Sequence, residues 1–192
     1  MTNELENVRV AFLVANEGIE QSELIGPWKA VMNAGGKPEL VAPKPGLAGT
    51  MQHLDKAGRF PVDRLTADAR VDDYDAVILP GGVANPDLLR QDKPAVEFLA
   101  AMCRAGKPVA AICHGPWTLI EAGMVAGRTL TSWPSLRTDL RNAGASWVDE
   151  EVHVCRDGAN PLITSRKPDD LRVFCRELTN VFAETCLAGA AV

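Results

Sequence analysis

Residues 8–15 (Val-Arg-Val-Ala-Phe-Leu-Val-Ala) form a near-continuous apolar run of strand length. Alternating apolar and polar residues would mark a sheet with one wet face. A run without alternation marks a strand covered on both faces, the condition of a parallel sheet. A loop over Asn16 to Glu20 opens into a helix of about 14 residues, which stops at Ala34-Gly35-Gly36 because glycine just past the last turn is the usual C-terminal stop. Lys37 to Ala42 reads as the second strand. This β-α-β start predicts a doubly wound sheet whose functional groups gather at the C-terminal ends of its strands.

From Pro43 to Asp73 the pattern weakens. Pro43-Lys44-Pro45-Gly46 punctuates the chain, and 58–62 reads as one arm of a small hairpin, with His53 in a solvated loop. Order returns with the apolar strand 74–79, which runs into Pro80-Gly81-Gly82. Adjacent glycines let the backbone approach a ligand and turn an N–H toward it. Asn85-Pro86-Asp87 then predicts a helix start, with Asn85 as N-cap and Pro86 in the first position. Ala95, Phe98, Leu99 and Met102 follow helical spacing, and Ala105-Gly106 ends that helix. Later elements are a helix over 114–122, a strand near 128–131 and a helix from Pro134 to Ala143-Gly144. Strands near 146–148, 151–156 and 161–164 follow. A last helix opens at Pro168-Asp169-Asp170 with Leu171, Phe174, Leu178, Val181 and Phe182 on one face.

Lys107 to Trp117 carries the chemistry. It reads as a short buried strand (107–112) running straight into a helix, with Cys113 at the corner. A thiol there projects from the C-terminal edge of the sheet near the first N–H groups of the helix, an exposed and electropositive setting that favours a thiolate. A buried core cysteine is the plainer reading of most free cysteines. The corner fits a nucleophile elbow, whose usual form has glycine two residues on either side of the nucleophile. Here those positions are Ala111 and Gly115. The N–H of His114 and that of Gly82 are the expected donors to an oxyanion. Glu20 is the carboxylate the topology brings to the same edge, with a helix N-terminal carboxylate as its plainer reading; Asp87 likewise reads as helix-start chemistry.

Composition narrows the partners. A formal net charge of −5 argues against nucleic acid or an anionic membrane as the main partner, and no apolar run approaches a membrane span. The acidic N-terminus lacks the basic start and apolar core of a signal peptide, so the expectation is a cytosolic protein. Five cysteines (Cys103, Cys113, Cys155, Cys175, Cys186) form an odd set without a C-x-x-C pair, and His153-x-Cys155 is too sparse for zinc. Free thiols and no metal are expected, in one α/β domain.

The run Ala111-Ile112-Cys113-His114-Gly115-Pro116 closely resembles the intracellular protease I (PfpI-type) family. That family belongs to the superfamily containing the Parkinson-disease-associated protein and the class I glutamine amidotransferase-like fold. The resemblance extends through Ala15–Leu24, Leu79-Pro80-Gly81-Gly82, Asn142–Ala145 with Trp147-Val148-Asp149, and Thr164–Leu171. It implies one domain over residues 1–192 with a flavodoxin-like three-layer sandwich, a mostly parallel central sheet and Cys113 as nucleophile in a strained backbone conformation. It further implies Glu20 as the carboxylate hydrogen-bonded to the thiol and His114 as its adjacent base. Gly81 and Trp117 are the expected substrate contacts. Asp87 looks like the acid that reaches the histidine of a neighbouring subunit, with Asp standing where the family has Glu. Homodimers or larger homo-oligomers are implied, and no cofactor.

Three functions follow from such a site. The first is cofactor-independent chemistry on reactive dicarbonyls, either hydration of methylglyoxal or glyoxal to hydroxy acids or deglycation of their early adducts. The second is intracellular peptide or amide hydrolysis, for which His114, following the nucleophile directly, is expected to point away unless a neighbouring subunit completes the site. The third is a redox-sensing stress protein or chaperone using the same cysteine. A glutaminase is disfavoured, because the late histidine reads His153-Val154-Cys155 rather than His-x-Glu.

Overall fold

The computed structural model describes residues 3–189; the outermost residues of the expected 1–192 domain lie outside them. The central sheet has seven strands. Three at its middle are β1 (Arg9–Leu13), β7 (Ala76–Leu79) and β8 (Val109–Ile112), with β3 (Lys37–Ala42) and β6 (Arg64–Leu65) on one side and β12 (Leu162–Ser165) and β11 (Val152–Cys155) on the other. The order is β11-β12-β8-β7-β1-β3-β6, parallel throughout except for β11. The chain thus has the mostly parallel sheet of a flavodoxin-like fold.

The continuous apolar runs are explained by burial on both faces. Ala11, Leu13, Val77, Leu79, Val109 and Ala111 point one way, into a core shared with Ala95, Phe98, Leu99 and Met102 of α3 (Lys93–Arg104). Val10, Phe12, Ala76, Ile78, Ala110 and Ile112 point the other way. They meet Leu24 and Val31 of α1 (Gln21–Asn33) and Phe174, Leu178, Val181 and Phe182 of α6 (Leu171–Gly189). Successive residues of a strand face opposite sides, so two helical layers demand apolar side chains at every position.

Two expectations about the helices are corrected. The stretch 85–105 is two helices, α2 (Ala84–Leu89) and α3, because Asp92 caps the second: its side chain accepts the N–H of Ala95 at 3.0 Å. Asn85 is not an N-cap. It is buried inside α2, accepting the N–H of Ala15 at 2.7 Å and donating to the carbonyls of Pro80 (2.9 Å) and Gly81 (3.1 Å). It ties the ends of β1 and β7 together at the edge where the functional groups gather.

The weakly patterned segment holds a hairpin of β4 (Leu47–Gln52) and β5 (Asp55–Pro61), longer than the arm expected at 58–62. It joins β2 (Ile19–Glu20) in a separate three-stranded sheet. β9 (Thr129–Leu130) and β10 (Ser146–Trp147) make a small parallel pair, with α5 (Arg137–Asn142) between them.

Phe174 is fully buried where α6 covers the sheet. Phe174→Ala should lower stability by about 3–5 kcal/mol, read from the urea midpoint at neutral pH.

Candidate active site

β8 ends at Ile112 and the next residue turns left-handed: Cys113 has φ +61°. A side chain at positive φ is strained by about 1–3 kcal/mol and persists only where its surroundings over-determine it. Here the Cys113 N–H extends the ladder to the Ser165 carbonyl at 3.0 Å, and the Cys113 carbonyl accepts the N–H of Trp133 at 3.0 Å. The Gly115 N–H closes the turn on the Ile112 carbonyl at 2.9 Å. A Cβ on Gly115 would lie 2.5 Å from the Leu79 carbonyl oxygen, so only glycine lets the elbow pass that close to β7. The helix beyond, α4 (Pro116–Glu121), is six residues long.

The thiol is not exposed, contrary to expectation: Cys113 keeps 6% of its surface. Burial pushes the thiol up, and a nearby carboxylate adds to that push, while the N–H groups of Gly82 and His114 favour the thiolate. The carboxylate is Glu23, not Glu20. Glu20 stands in extended backbone just before α1, and its side chain turns away to accept from Ser22 Oγ (3.3 Å) and the His53 N–H (3.1 Å). His53 lies at the exposed tip of the β4–β5 hairpin.

Glu23, one turn later, points inward and is fully buried. Its Oε2 accepts the N–H of Gly81 at 2.8 Å, while Oε1 is buried with no donor. Burial pushes Glu23 up to about 8, the Gly81 N–H opposes that, and the Glu20 charge adds to it. A buried carboxyl oxygen without a donor is far less costly when it carries a proton. At neutral pH Glu23 is therefore mostly a carboxylic acid beside the sulfur, and the two groups titrate as a pair.

His114 faces the sulfur, contrary to the expectation that it points away. Its Nδ1 lies 3.2 Å from Cys113 Sγ and its Nε2 3.4 Å from Ser135 Oγ. Burial lowers the imidazole to about 4, so the ring is neutral. Trp133 stacks on it with centroids 5.9 Å apart, and Trp117 meets it edge-on at 5.2 Å. The Trp117 indole N–H is taken by Asp139 at 2.9 Å.

Glu23, Trp133 and Ser135 are absent from the sequence-based set of site residues. Gly81 also changes place. Its N–H goes to Glu23 and its carbonyl accepts from Glu20 N–H (3.2 Å) and Asn85, so its polar groups serve the protein and not a ligand. Asp87 is exposed on α2 beside a surface cleft of about 720 Å³ lined by Arg90, Gln91, Lys93, Glu97 and Glu121, with no hydrogen bond to Cys113 or His114 of its own chain. Cys103, Cys155, Cys175 and Cys186 are free and lie outside the corner. Among the described residues no cluster of three or more His, Cys, Asp or Glu could hold a metal ion.

A parallel α/β sandwich with a buried cysteine on a strand-to-helix elbow defines the class. The chain matches the DJ-1/PfpI family over residues 8–181 and belongs to it. General stress protein 18 of Bacillus subtilis is 42% identical over 158 residues, 82% of this chain and 88% of that one. The deglycase PfpI of Pyrococcus furiosus is 38% identical over 174 residues, 91% of this chain and 99% of that one. Among solved structures, a two-domain protein of Anabaena variabilis with DJ-1/ThiJ/PfpI-like and ferritin-like domains superposes with a TM-score of 0.81 at 32% identity. That match covers 91% of this chain and 48% of the Anabaena protein, so this chain spans about half its length.

The Glu23 carboxyl makes stability depend on pH. Raised from 4.5 to about 8 in the folded chain, it contributes stability that is full below its ordinary value and is lost as pH climbs through about 8. His114, held low, works in the opposite sense below its ordinary value of 6.5. Urea midpoints for wild type and Glu23→Gln from about pH 5 to about pH 9 isolate the carboxyl. The variant should gain on the wild type as pH rises.

Proposed function

We propose that this chain is a cofactor-independent cysteine enzyme of dicarbonyl defence, removing early adducts of methylglyoxal or glyoxal and converting the dicarbonyl to a hydroxy acid. The observation that carries the reading is the buried Cys113–Glu23 pair, with two N–H donors and a neutral imidazole at the same sulfur. The relative named deglycase supports it, and the stress-protein relative fits the setting.

In this reading the pair's proton rests on Glu23 and the Cys113 thiolate attacks the aldehyde carbon. The N–H groups of Gly82 and His114 receive the developing oxyanion. Glu23 gives its proton to that oxygen, forming a hemithioacetal, and the resulting carboxylate is the base that moves the carbon-bound proton to the neighbouring carbon. Water then hydrolyses the thioester, releasing lactate from methylglyoxal and restoring the thiol. With an amine adduct, the same attack follows release of the amine. Trp117 and Trp133 pack against the His114 ring beside the reacting sulfur.

A cytoplasmic setting is part of the proposal. The free cysteines suit a reducing compartment, and among the described residues no helix is long and apolar enough to cross a membrane. Asp87, with exposed Val83 and Leu88 around it on the same surface, supports an assembly in which α2 meets a second copy and Asp87 approaches that copy's His114. Peptide hydrolysis is the second reading, favoured by the 3.2 Å His114–Cys113 contact.

Incubation with methylglyoxal, or with its adduct on an acetylated amino acid, in the absence of glutathione tests the proposal. Wild type should release lactate. Cys113→Ser should release none, and Glu23→Gln should lose about 100-fold or more in kcat, whereas Glu20→Gln should lose much less. Cys113-dependent cleavage of a peptide panel without lactate would favour the peptidase instead. Sedimentation velocity should give a homo-oligomer, and Asp87→Asn should lower kcat without dissociating it.

A further inference from the structure

A neutral imidazole carries one proton on two nitrogens, so one nitrogen donates and the other accepts. The chain gives each nitrogen of His114 a different neighbour: Cys113 Sγ at Nδ1, 3.2 Å away, and Ser135 Oγ at Nε2, 3.4 Å away. Burial and Glu23 push the thiol up while the N–H groups of Gly82 and His114 favour the thiolate, which is the attacking form when Glu23 holds the pair's proton. A thiolate accepts only, so the nitrogen facing it carries the proton. Nε2 then needs a donor, and a serine hydroxyl rotates freely enough to be one.

We propose that Ser135 is a positioning residue of this site: its hydroxyl donates to Nε2 of His114 and so fixes the ring proton on Nδ1, against the Cys113 sulfur. The inference rests on the preceding reading in taking Cys113 as a thiolate nucleophile with the pair's proton on Glu23.

The turn that carries Ser135 is anchored on that nucleophile. Ser135 sits in the single turn Pro134–Leu136. The Trp133 N–H donates to the Cys113 carbonyl at 3.0 Å, the Leu136 N–H to the Trp133 carbonyl at 3.0 Å, and Ser132 Oγ to the same carbonyl at 2.9 Å. The Trp147 indole N–H in turn donates to Ser132 Oγ at 3.0 Å, and Leu136 is fully buried beneath the turn. A ring flip, which would put Cδ2 and Cε1 where Nδ1 and Nε2 stand, is opposed by Trp133 stacked on the ring at an interplanar angle of 24° and by Trp117 at its edge. Ring orientation and tautomer are thus set from one short segment, 132–136.

The full-length chain tests this with Ser135→Ala and Ser135→Thr, using two readouts that need no substrate. One is the ¹⁵N ring shifts of His114 by long-range ¹H–¹⁵N correlation, which report the tautomer. The other is the rate of Cys113 alkylation by iodoacetamide at neutral pH. Wild type should show the Nδ1–H form. Ser135→Ala should move the ring toward Nε2–H and slow alkylation roughly three- to tenfold, and Ser135→Thr should restore both. A purely structural role would not produce the tautomer shift or the rescue by threonine. An Nε2–H ring in wild type overturns the proposal even if the alanine variant fails to fold, as do unchanged ring shifts and alkylation in a folded Ser135→Ala. Absence of lactate release would count against the dicarbonyl reading and leave both readouts in force.

Discussion

The site depends on how the start of α1 grips a single peptide unit. A helix often closes its own first turn by exchanging hydrogen bonds between its N-cap residue and the residue three positions on. Here both groups reach instead for Gly81: the Glu20 N–H donates to its carbonyl, and Glu23 Oε2 accepts its N–H. One exchange fixes the helix against the sheet edge, holds the loop after β7, and carries a carboxyl to Cys113. It leaves no room for a side chain, since a Cβ on Gly81 would lie 2.5 Å from Glu23 Oε2 and 2.6 Å from the Cys113 Cβ.

In the proposed mechanism the thiol is activated through that placement rather than through exposure or a helix dipole. α4 is too short to supply a strong macrodipole, and Cys113 is nearly sealed from water. In such a place two adjacent groups cannot both ionise cheaply. One proton stays with the pair, and the question becomes which atom holds it. Two N–H groups serve the sulfur, whereas one oxygen of Glu23 has no donor. That asymmetry favours the thiolate and the carboxylic acid against the burial that pushes the thiol up, and the proposed mechanism uses that form.

The sheet was legible in the sequence because burial on both faces writes continuous apolar runs. β3 falls on Lys37–Ala42 as read, and the last helix shows its apolar face at Phe174, Leu178, Val181 and Phe182. The β4–β5 hairpin was not legible as a whole. Asp-Lys-Ala-Gly-Arg-Phe-Pro has no alternation, and its placement comes from a distant side chain: Gln21 Oε1 accepts from Thr50 Oγ1 and the Gly58 N–H. The split between α2 and α3 was written in Asp92-Lys93-Pro94, a cap followed by an early proline. Glu20 and Glu23 lie one turn apart, and only the helix phase separates them. The signal was the buried stripe 23–24, 27 and 31 of α1, which includes Glu23 and begins after Glu20.

The protonation pattern also bears on the choice between reactions. A cysteine peptidase works through a thiolate–imidazolium pair, in which the imidazolium protonates the departing amine. Burial holds His114 down at about 4 in the single chain, so that proton is missing at neutral pH. Dicarbonyl chemistry has no such need. Its proton moves between an oxygen and two adjacent carbons, a task suited to a carboxyl that burial pushes up to about 8, as it does Glu23. A carboxylate brought to His114 by a second copy would raise the imidazole and shift this balance toward amide hydrolysis. In the proposed assembly, control of the site by Glu23 from within or by Asp87 from a neighbour would be the physical difference between the two proposed activities.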